Sequence, residues 1–209
     1  MNEVYVLPKW AFMNRKHILE KGGRPFEVVD TTSGSGDFRG LSPFVLGPCR
    51  TYLPGVCAKN LENLWQYSKV YQWHTMLCDT DTMELAPSGA WYAWRDEGWA
   101  NPKAIRYPMG KGVKPLFSWW DGKRLSYVQA RKQIYALHYF ANVMSTDSFK
   151  RLREIFQQRD LILLDFDAYD HRLMNRTLKD VINDPYKKCG HAFILAMILT
   201  GVLPDCVED

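Results

Sequence analysis

Long apolar runs are missing from this sequence of 209 residues. The longest run, 192–199, has eight residues, whereas a helix that crosses a bilayer needs about 20. The N-terminal residues also lack the apolar stretch of a secretory signal peptide. We therefore expect a soluble, intracellular protein of the cytoplasm that has no membrane partner.

Motifs for metals, disulfides and phosphate loops are missing as well. The five cysteines are odd in number and include no CxxC pair, which argues against a zinc finger or a disulfide framework and predicts reduced thiols. Residues 110–112, Gly-Lys-Gly, lack the GxxxxGKS/T pattern of a P-loop. The acidic run 165–170 lacks the central glycine and later glutamate of a calcium loop. We expect neither a metal ion nor a cofactor.

Aromatic residues are abundant, with 8 Trp and 11 Tyr, while the net charge of +4 is only mildly basic. The segment 79–124 holds five of the tryptophans among glycines, prolines and basic residues, and it has no sustained helical or strand period. It predicts either a binding loop or a plain structural insertion. Rings stack on bases while basic side chains contact phosphate, which makes nucleic acid a candidate ligand of such a loop. The predicted nucleic-acid contacts are Arg95, Arg106, Lys111 and Lys114.

Most of the remaining sequence predicts helices. Apolar residues at helical spacing predict a helix over 125–144, with a buried stripe. This stripe consists of Ala130, Ile134, Leu137, Ala141 and Met144. Further helices are predicted at 10–22, at 148–158 and in a final segment from Pro185 to Gly201, and strands at 26–30 and 161–164. The predicted fold class is mainly α (α+β): a single compact helical domain over 1–209 with one or two short strands and an irregular insertion at about 79–124.

The segment 60–71 aligns unlike chemical groups when it is read as a helix. Asn60 is a candidate N-cap, which places Glu62 in the first turn, where the helix dipole favours a carboxylate. Gln66 and Lys69 then fall on the same side as Glu62, and Trp65 lies on the flank of this stripe. The pattern fits the wall of a pocket, and it equally fits an amphipathic helix whose Glu and Lys are solvated.

Acidic residues also cluster where the apolar run 161–164 ends. Asp165, Asp167 and Asp170 fit an acid–base pair in a pocket, turn residues or ligands of a metal. His191 follows Gly190 inside the predicted final helix, where glycine costs about 1 kcal/mol relative to alanine. Close packing or access for a ligand would explain that glycine. His191 is then either a buried, hydrogen-bonded histidine or a residue of the site.

Several of these pieces, in this order, resemble the NADAR superfamily, which is named for NAD and ADP-ribose. They are Leu-Ser-Pro-Phe at 41–44, the Glu-aromatic-Gln-Lys pattern in 62–69, Asp-Ala-Tyr at 167–169, and Gly190 with its apolar helix. The chain departs from the family at three points. Leu125 or Ser126 stands where the family has a tryptophan, with Trp119 or Trp120 as candidate substitutes. Asp-His follows 169 instead of Trp-Gly, and the large 79–124 insertion is unlike the compact members. The chain would therefore be a divergent branch.

The resemblance implies an N-glycosidase that removes ADP-ribose or a related glycosyl group from a modified nucleobase, with guanine in DNA as the expected substrate. It implies catalytic roles for Glu62, Lys69 and Asp167, with Lys69 as an amine that attacks the anomeric carbon or positions a charge. The implied substrate-binding residues are Ser42, Phe44, Trp65, Gln66, Trp119, Tyr169 and His191. The stripe helix and Asp167 are expected around one pocket, and the 79–124 segment would recruit the polynucleotide.

Three other functions remain open on the sequence alone. A small-molecule N-glycosidase would act on free nucleotides and would need no polynucleotide. A non-catalytic binder would sequester an ADP-ribose-like ligand or a modified base, for example in virus–host conflict. A structural protein would neither bind nor turn over such a ligand.

Overall fold

The computed structural model describes residues 2–10, 26–79 and 81–208. Apart from Trp10, the predicted helix over 10–22 therefore lies outside the described residues. The strands within these ranges are β1 (Val4–Pro8), β2 (Phe26–Asp30), β3 (Cys49–Arg50), β4 (Cys57–Ala58), β5 (Lys69–Val70), β6 (Thr75–Asp79), β7 (Glu84–Pro87), β8 (Phe117–Trp120), β9 (Lys123–Leu125) and β10 (Asp160–Asp165).

The α-helices of the same ranges are α1 (Leu61–Tyr67), α2 (Gly89–Ala100), α3 (Tyr127–Ala130), α4 (Leu137–Val143), α5 (Asp147–Gln158), α6 (Leu178–Asn183), α7 (His191–Leu199) and α8 (Leu203–Val207). A π-helical turn, Arg131–Ala136, connects α3 to α4. No helix in the described part of the chain has both the length and the apolar composition to cross a bilayer.

The chain divides into two compact units, which are Met1–Val45 with Tyr139–Asp209, and Leu46–His138. A parallel three-stranded sheet in the order β1–β10–β2 forms the base of the first unit. The central strand is β10, whose apolar run is buried on both faces, as is usual in a parallel sheet. Helix α7 packs on β1 and β10. Its residues 191–197 are all buried, as is typical of a helix that is apolar on almost every side.

The second unit contains small antiparallel sheets and the packed helices α1 and α2, together with α3 and the π-helical turn. Its strands form the ladders β5–β8–β9, β3–β4 and β6–β7. Helix α1 packs on α2, whose Trp91 and Trp99 are fully buried. At this contact the ring of Tyr67 occupies the space that a Cβ on Gly98 would need. The glycine therefore sets how closely the two helices approach.

The mainly helical fold class predicted from the sequence is wrong, because the described chain is a mixed α+β structure with several small sheets. The strands at 26–30 and 161–164 are confirmed as β2 and β10. The segment 79–124 is also more ordered than predicted, since it contains β7, helix α2, β8 and most of β9. Strands of two to four residues, such as β5 and β8, are too short to produce an alternating pattern.

Two helix predictions need correction. The helix predicted from Pro185 to Gly201 is α7, which begins at His191 with Gly190 as its N-cap and ends at Leu199. The predicted helix over 125–144 exists, but the π-helical turn inside it changes which face is buried. Ile134 is buried as predicted, whereas Leu137 and Met144 are exposed. A π turn adds a residue to one turn of the helix, so that an unbroken 3.6-residue period no longer predicts the inward face.

Replacement of Gly98 tests the contact between α1 and α2. Because a methyl group would overlap the Tyr67 ring, we expect Gly98→Ala to lower the free energy of unfolding by about 1–3 kcal/mol. This loss should occur even though alanine is favoured over glycine in a helix interior by about 1 kcal/mol. Urea unfolding followed by circular dichroism measures the change.

The matched control is Gly89→Ala at the start of the same helix, where no atom lies within 4 Å of the added Cβ. This variant should unfold at the wild-type urea concentration or slightly above it. Equal stabilities of the two variants would contradict the packing account.

Candidate functional site

Helix α1 begins at a well-defined cap. The side chain of Asn60 accepts a hydrogen bond from the Asn63 backbone N–H at 2.8 Å, which confirms the predicted N-cap. The Asn63 side chain donates to the carbonyl oxygens of Asn101 and Lys103, at 2.9 Å each, and accepts from the Ile105 N–H at 2.8 Å. These bonds fix the first turn of α1, and with it the position of Glu62.

Glu62, Gln66 and Lys69 form a continuous chain of hydrogen bonds. Gln66 Nε2 donates to Glu62 Oε1 at 2.8 Å, and Lys69 Nζ donates to Gln66 Oε1 at 2.6 Å. Glu62 is only 5% exposed, so its carboxylate is not the solvated group of an ordinary amphipathic helix. The structure therefore brings together three of the predicted site residues, although Lys69 lies on β5 and not on the helix.

The aromatic ring of Trp65 lies beside this series of hydrogen bonds. Lys69 Nζ lies 4.6 Å from the centroid of the Trp65 ring, a cation–π distance that favours the charged ammonium. The Trp65 ring also lies 6.1 Å from Tyr127 and 5.4 Å from Tyr135. We call Glu62, Trp65, Gln66 and Lys69 the Glu62 cluster.

Two residues that the sequence analysis did not single out lie next to these aromatic rings. Arg131 and Lys132 begin the π-helical turn, which packs against α1, and both are buried. The Arg131 guanidinium lies 4.4 Å from the centroid of Tyr127. The sequence signal is a pair of adjacent basic residues between Ala130 and Ile134, two members of the predicted buried stripe. Helical periodicity alone could not indicate that both face inward.

A second buried acidic group lies in the first unit. Asp165 Oδ2 is 3.0 Å from His191 Nδ1, and His191 Nε2 is 2.8 Å from the carbonyl oxygen of Thr31. Asp165 also accepts from the backbone N–H groups of Asp167 and Ala192, each at 3.3 Å. Gly190 leaves space for this carboxylate, since a Cβ there would overlap it.

The environment of Asp165 lowers its pKa. Burial alone would raise the pKa of this carboxyl, but the attraction of His191 and the hydrogen bonds from His191, Asp167 and Ala192 outweigh burial and bring it to about 2. Both ring nitrogens of His191 face oxygen atoms of the protein. His191, predicted as a substrate-binding residue, thus holds the start of α7 against β10 and Thr31.

The other predicted residues of the first unit have separate environments. Asp167 is half-buried and pairs with Lys188 Nζ at 3.0 Å. The Tyr169 ring packs on Phe193 with a centroid distance of 4.9 Å. Ser42 is buried, and its Oγ accepts from the Phe44 N–H at 3.4 Å. Glu62 and Lys69 belong to the second unit and Asp167 to the first, so the predicted convergence of all three stays a prediction.

Within the second unit, Trp119 lies on β8. Its backbone N–H donates to the Ser68 carbonyl oxygen at 2.8 Å, and its ring is half-buried beside Phe117 at 6.4 Å. This strand also pairs Ser118 with Lys69. Trp119 therefore helps to fix the strand that carries the amine of the Glu62 cluster.

The four predicted nucleic-acid contacts differ in exposure. Lys111 and Lys114 are exposed and Arg106 is half-buried. Arg95 is buried, and it donates to Asp96 Oδ1 from Nε at 2.9 Å and from Nη2 at 2.7 Å. The rings around its guanidinium are Tyr52, Trp91, Tyr92 and Trp99. Arg95 therefore serves the packing of α2, and its guanidinium is not presented to a phosphate backbone.

No family model, curated protein or solved structure matches the chain. The resemblance to the NADAR superfamily thus stays a prediction based on the motifs. In the described ranges, no group of three or more His, Cys, Asp and Glu side chains is arranged to hold a metal ion.

The low pKa of Asp165 predicts how stability depends on pH. Its ordinary pKa is 3.8 and its folded-state pKa is about 2, so the ionised carboxylate stabilises the fold above pH 4. This contribution is lost as the pH falls from about 4 to 2, and it amounts to roughly 2 kcal/mol. Urea unfolding at several pH values between 2 and 6 should show this loss in the wild type.

Asp165→Asn should be less stable at pH 6 and should show a shallower dependence on pH below 4. The control Asp205→Asn removes an exposed carboxylate of the same unit and should keep the wild-type slope. If the free energy of unfolding of Asp165→Asn falls below pH 4 as steeply as that of the wild type, groups other than Asp165 cause the pH dependence.

Proposed function

We propose that the chain is an N-glycosidase that removes ADP-ribose or a related glycosyl group from a modified nucleobase, with guanine in DNA as the favoured substrate. The observation that supports this most is the buried Glu62 carboxylate, connected through the Gln66 amide to the Lys69 amine beside the Trp65 ring. A carboxylate, a proton donor and a flat ring are the groups that cleavage of a base–sugar bond requires.

The reaction breaks the bond between the base nitrogen and C1 of the sugar. The bonding electrons leave with the base nitrogen, which takes up a proton, and positive charge develops at C1 and the ring oxygen. The Glu62 carboxylate stabilises that charge by electrostatic attraction, which is strong in a buried position. Water then adds to C1 and loses a proton, so that the products are the unmodified base, which stays in its DNA strand, and the released ADP-ribose with a hemiacetal at C1.

Lys69 is assigned the role of proton donor. Its position against Trp65 favours the ammonium form, and an ammonium can donate a proton but cannot attack C1. Gln66 accepts a hydrogen bond from Lys69 and donates one to Glu62. This bridge keeps the donor and the carboxylate at a fixed separation, which is what an acid acting across a glycosidic bond needs.

The exposed lysines of the second unit support a polynucleotide substrate. Lys111 and Lys114 are exposed in the loop that precedes β8, and Arg106 is half-buried there. Basic side chains in such a loop contact phosphates of the backbone without reading sequence. Arg95 is left out of this surface because it is buried.

Two further parts of the proposal come from the sequence. Asp167 keeps the catalytic role that the NADAR resemblance implies, and its variant is tested separately because it belongs to the other unit. A cytoplasmic location fits the exposed thiols of Cys57 and Cys78, since a reducing compartment preserves such thiols.

The test is release of ADP-ribose from DNA that carries ADP-ribosyl guanine, followed by mass spectrometry. Glu62→Gln keeps the shape of the side chain but removes its charge, so kcat should fall about a hundredfold or more. Lys69→Met should reduce kcat by a similar factor because the proton donor is lost. Asp167→Asn should also lose activity if the resemblance assigns that residue correctly.

Matched controls are Glu97→Gln and Lys59→Met, which change exposed residues of the same unit and should turn over DNA at the wild-type rate. Absence of release by the wild type would end the proposal. Undiminished release by Glu62→Gln would also end it, since the carboxylate would then have no part in the reaction.

The two rival functions that involve a ligand give different results in the same assay. A small-molecule N-glycosidase would cleave free nucleotides, and replacement of Lys111 and Lys114 by Gln would leave its rate unchanged. A non-catalytic binder would show a measurable Kd by calorimetry and no product after long incubation. Under our proposal, the double Lys variant loses turnover on DNA while its folded state is unaffected.

A further inference from the structure

The hairpin of β6 and β7 presents large apolar side chains to solvent. Met76 and Leu77 of β6 are 52% and 42% exposed, and Met83, which comes just before β7, is 68% exposed. Trp73 precedes β6, and its exposed ring lies at 13° to the buried ring of Tyr71. Single exposed apolar residues are common on protein surfaces, whereas a succession of large ones along one element is typical of an interaction surface.

The backbone at Met83 points in the same direction. Its φ is +54°, a left-handed conformation that glycine or asparagine adopts with less strain. A long apolar side chain stands at this position instead and is exposed. Methionine is flexible and polarizable, and it is frequent on surfaces that adapt to a partner. Strain and apolar exposure therefore coincide at one residue of the hairpin.

The hairpin is also acidic, although the chain as a whole has a net charge of +4. Asp79, Asp81 and Glu84 lie in or next to its loop, and the sequence from 70 to 94 contains no Lys or Arg. Within the part of the chain that the structure describes, these three carboxylates form no ion pair with a basic side chain. The local field is therefore negative, so it attracts a cationic group and repels phosphate.

Strand β6 has an open edge. Among the described residues the hairpin is a two-stranded sheet, in which β6 pairs with β7 alone. In an antiparallel pair, every second residue of an outer strand points its N–H and C=O away from the partner strand. Native proteins commonly protect such an edge with lysine or proline, and β6 contains neither.

The other strand of the hairpin is the anchored one. Leu85 of β7 packs on the buried cluster of Val70, Trp91 and Phe117, whereas the central residues of β6 are exposed. The ladder is regular over 75–77, and its register shifts after Leu77. A short, regular and apolar edge is thus held in place by β7, with the carboxylates at the C-terminal end of β6.

We propose that the β6 edge is a docking site for an extended, lysine- or arginine-bearing segment of a partner protein, which adds to the hairpin as a third strand. The main chain of the segment pairs with residues 75–77, and its apolar side chains pack on Met76 and Leu77. Its basic residues reach Asp81 and Glu84. An antiparallel segment would therefore carry them at its own N-terminal end. This inference goes beyond the proposed N-glycosidase and does not depend on it.

Charge distinguishes this occupant from two others. A nucleic-acid strand would bring its phosphates next to the carboxylates of the hairpin, where they are repelled. A second copy of this chain, paired through its own β6, would bring a strand that contains no basic residue. Self-pairing would thus leave the carboxylates without cations, whereas a basic segment supplies them.

The test uses synthetic peptides of about seven residues, a length suited to one strand, titrated into the full chain. The Lys peptide has two lysines at its N-terminal end, followed by alternating Val and Thr, and the Glu peptide has two glutamates in their place. Fluorescence anisotropy should show a Kd for the Lys peptide at least tenfold tighter than for the Glu peptide, with a dependence on salt. Methylation of alternate backbone nitrogens in the Lys peptide should weaken its Kd at least tenfold, because strand pairing is then blocked.

Variants of the protein locate the site. Met76→Lys adds a charge of the kind that protects natural edge strands, and it should weaken the Kd for the Lys peptide at least tenfold. The double variant Asp81→Asn with Glu84→Gln should have a similar effect and should reduce the salt dependence. The matched controls Val56→Lys and Glu97→Gln change an exposed apolar residue and an exposed carboxylate of the same unit, and they should bind as the wild type does.

Hydrogen exchange followed by NMR keeps the test independent of folding defects. In the wild type, the Lys peptide should slow amide exchange in β6, and circular dichroism identifies any variant that does not fold. Absence of binding by the Lys peptide, equal binding of the methylated peptide, or protection away from β6 would each overturn the proposal. Dimers or DNA complexes that Met76→Lys abolishes, without peptide binding, would assign the edge to another occupant and would also overturn it.

Discussion

Burial of the Glu62 carboxylate is the constraint on which the site of the second unit depends. A carboxylate removed from water is costly unless donors and positive charge surround it. Gln66 gives it one donor, and Lys69 extends that bond to a cation. The cap at Asn60 and the bonds made by Asn63 fix the helix that carries it. The groups that stabilise the buried Glu62 carboxylate are therefore also the groups to which we assign chemical roles.

The first unit also contains a buried carboxylate, which is stabilised by different partners. Asp165 is also buried, but its carboxylate faces an imidazole and two backbone N–H groups, and its pKa falls to about 2. Those partners belong to the start of α7 and to the turn after β10, so the pair fixes the helix on the sheet. Gly190 is required there because only a residue without a side chain leaves room for the carboxylate. Asp165 and His191 therefore fix α7 on the sheet, whereas the Glu62 cluster contains the groups to which we assign the proposed reaction.

The sequence predicted the local features well and the long-range ones poorly. The Asn60 cap, the strands β2 and β10, and the proximity of Glu62 to Gln66 follow from spacing and capping preferences over a few residues. Strands such as β3 and β4 have two residues each, and their pairing depends on tertiary contacts that no local pattern records. The predicted helix over 60–71 included Lys69, but helix α1 ends at Tyr67, two residues before it. Lys69 therefore bonds to Gln66 from strand β5. The inward position of Arg131 and Lys132 depends on a π-helical turn, which periodicity cannot reveal.

The most direct measurement of the central claim is a crystal structure of the Glu62→Gln protein with ADP-ribose bound. Our account predicts that the anomeric carbon lies within about 3.5 Å of the side chain at position 62, the separation of groups poised to react. It also predicts that Lys69 faces the same carbon. A sugar bound elsewhere on the protein, away from position 62, would contradict the account.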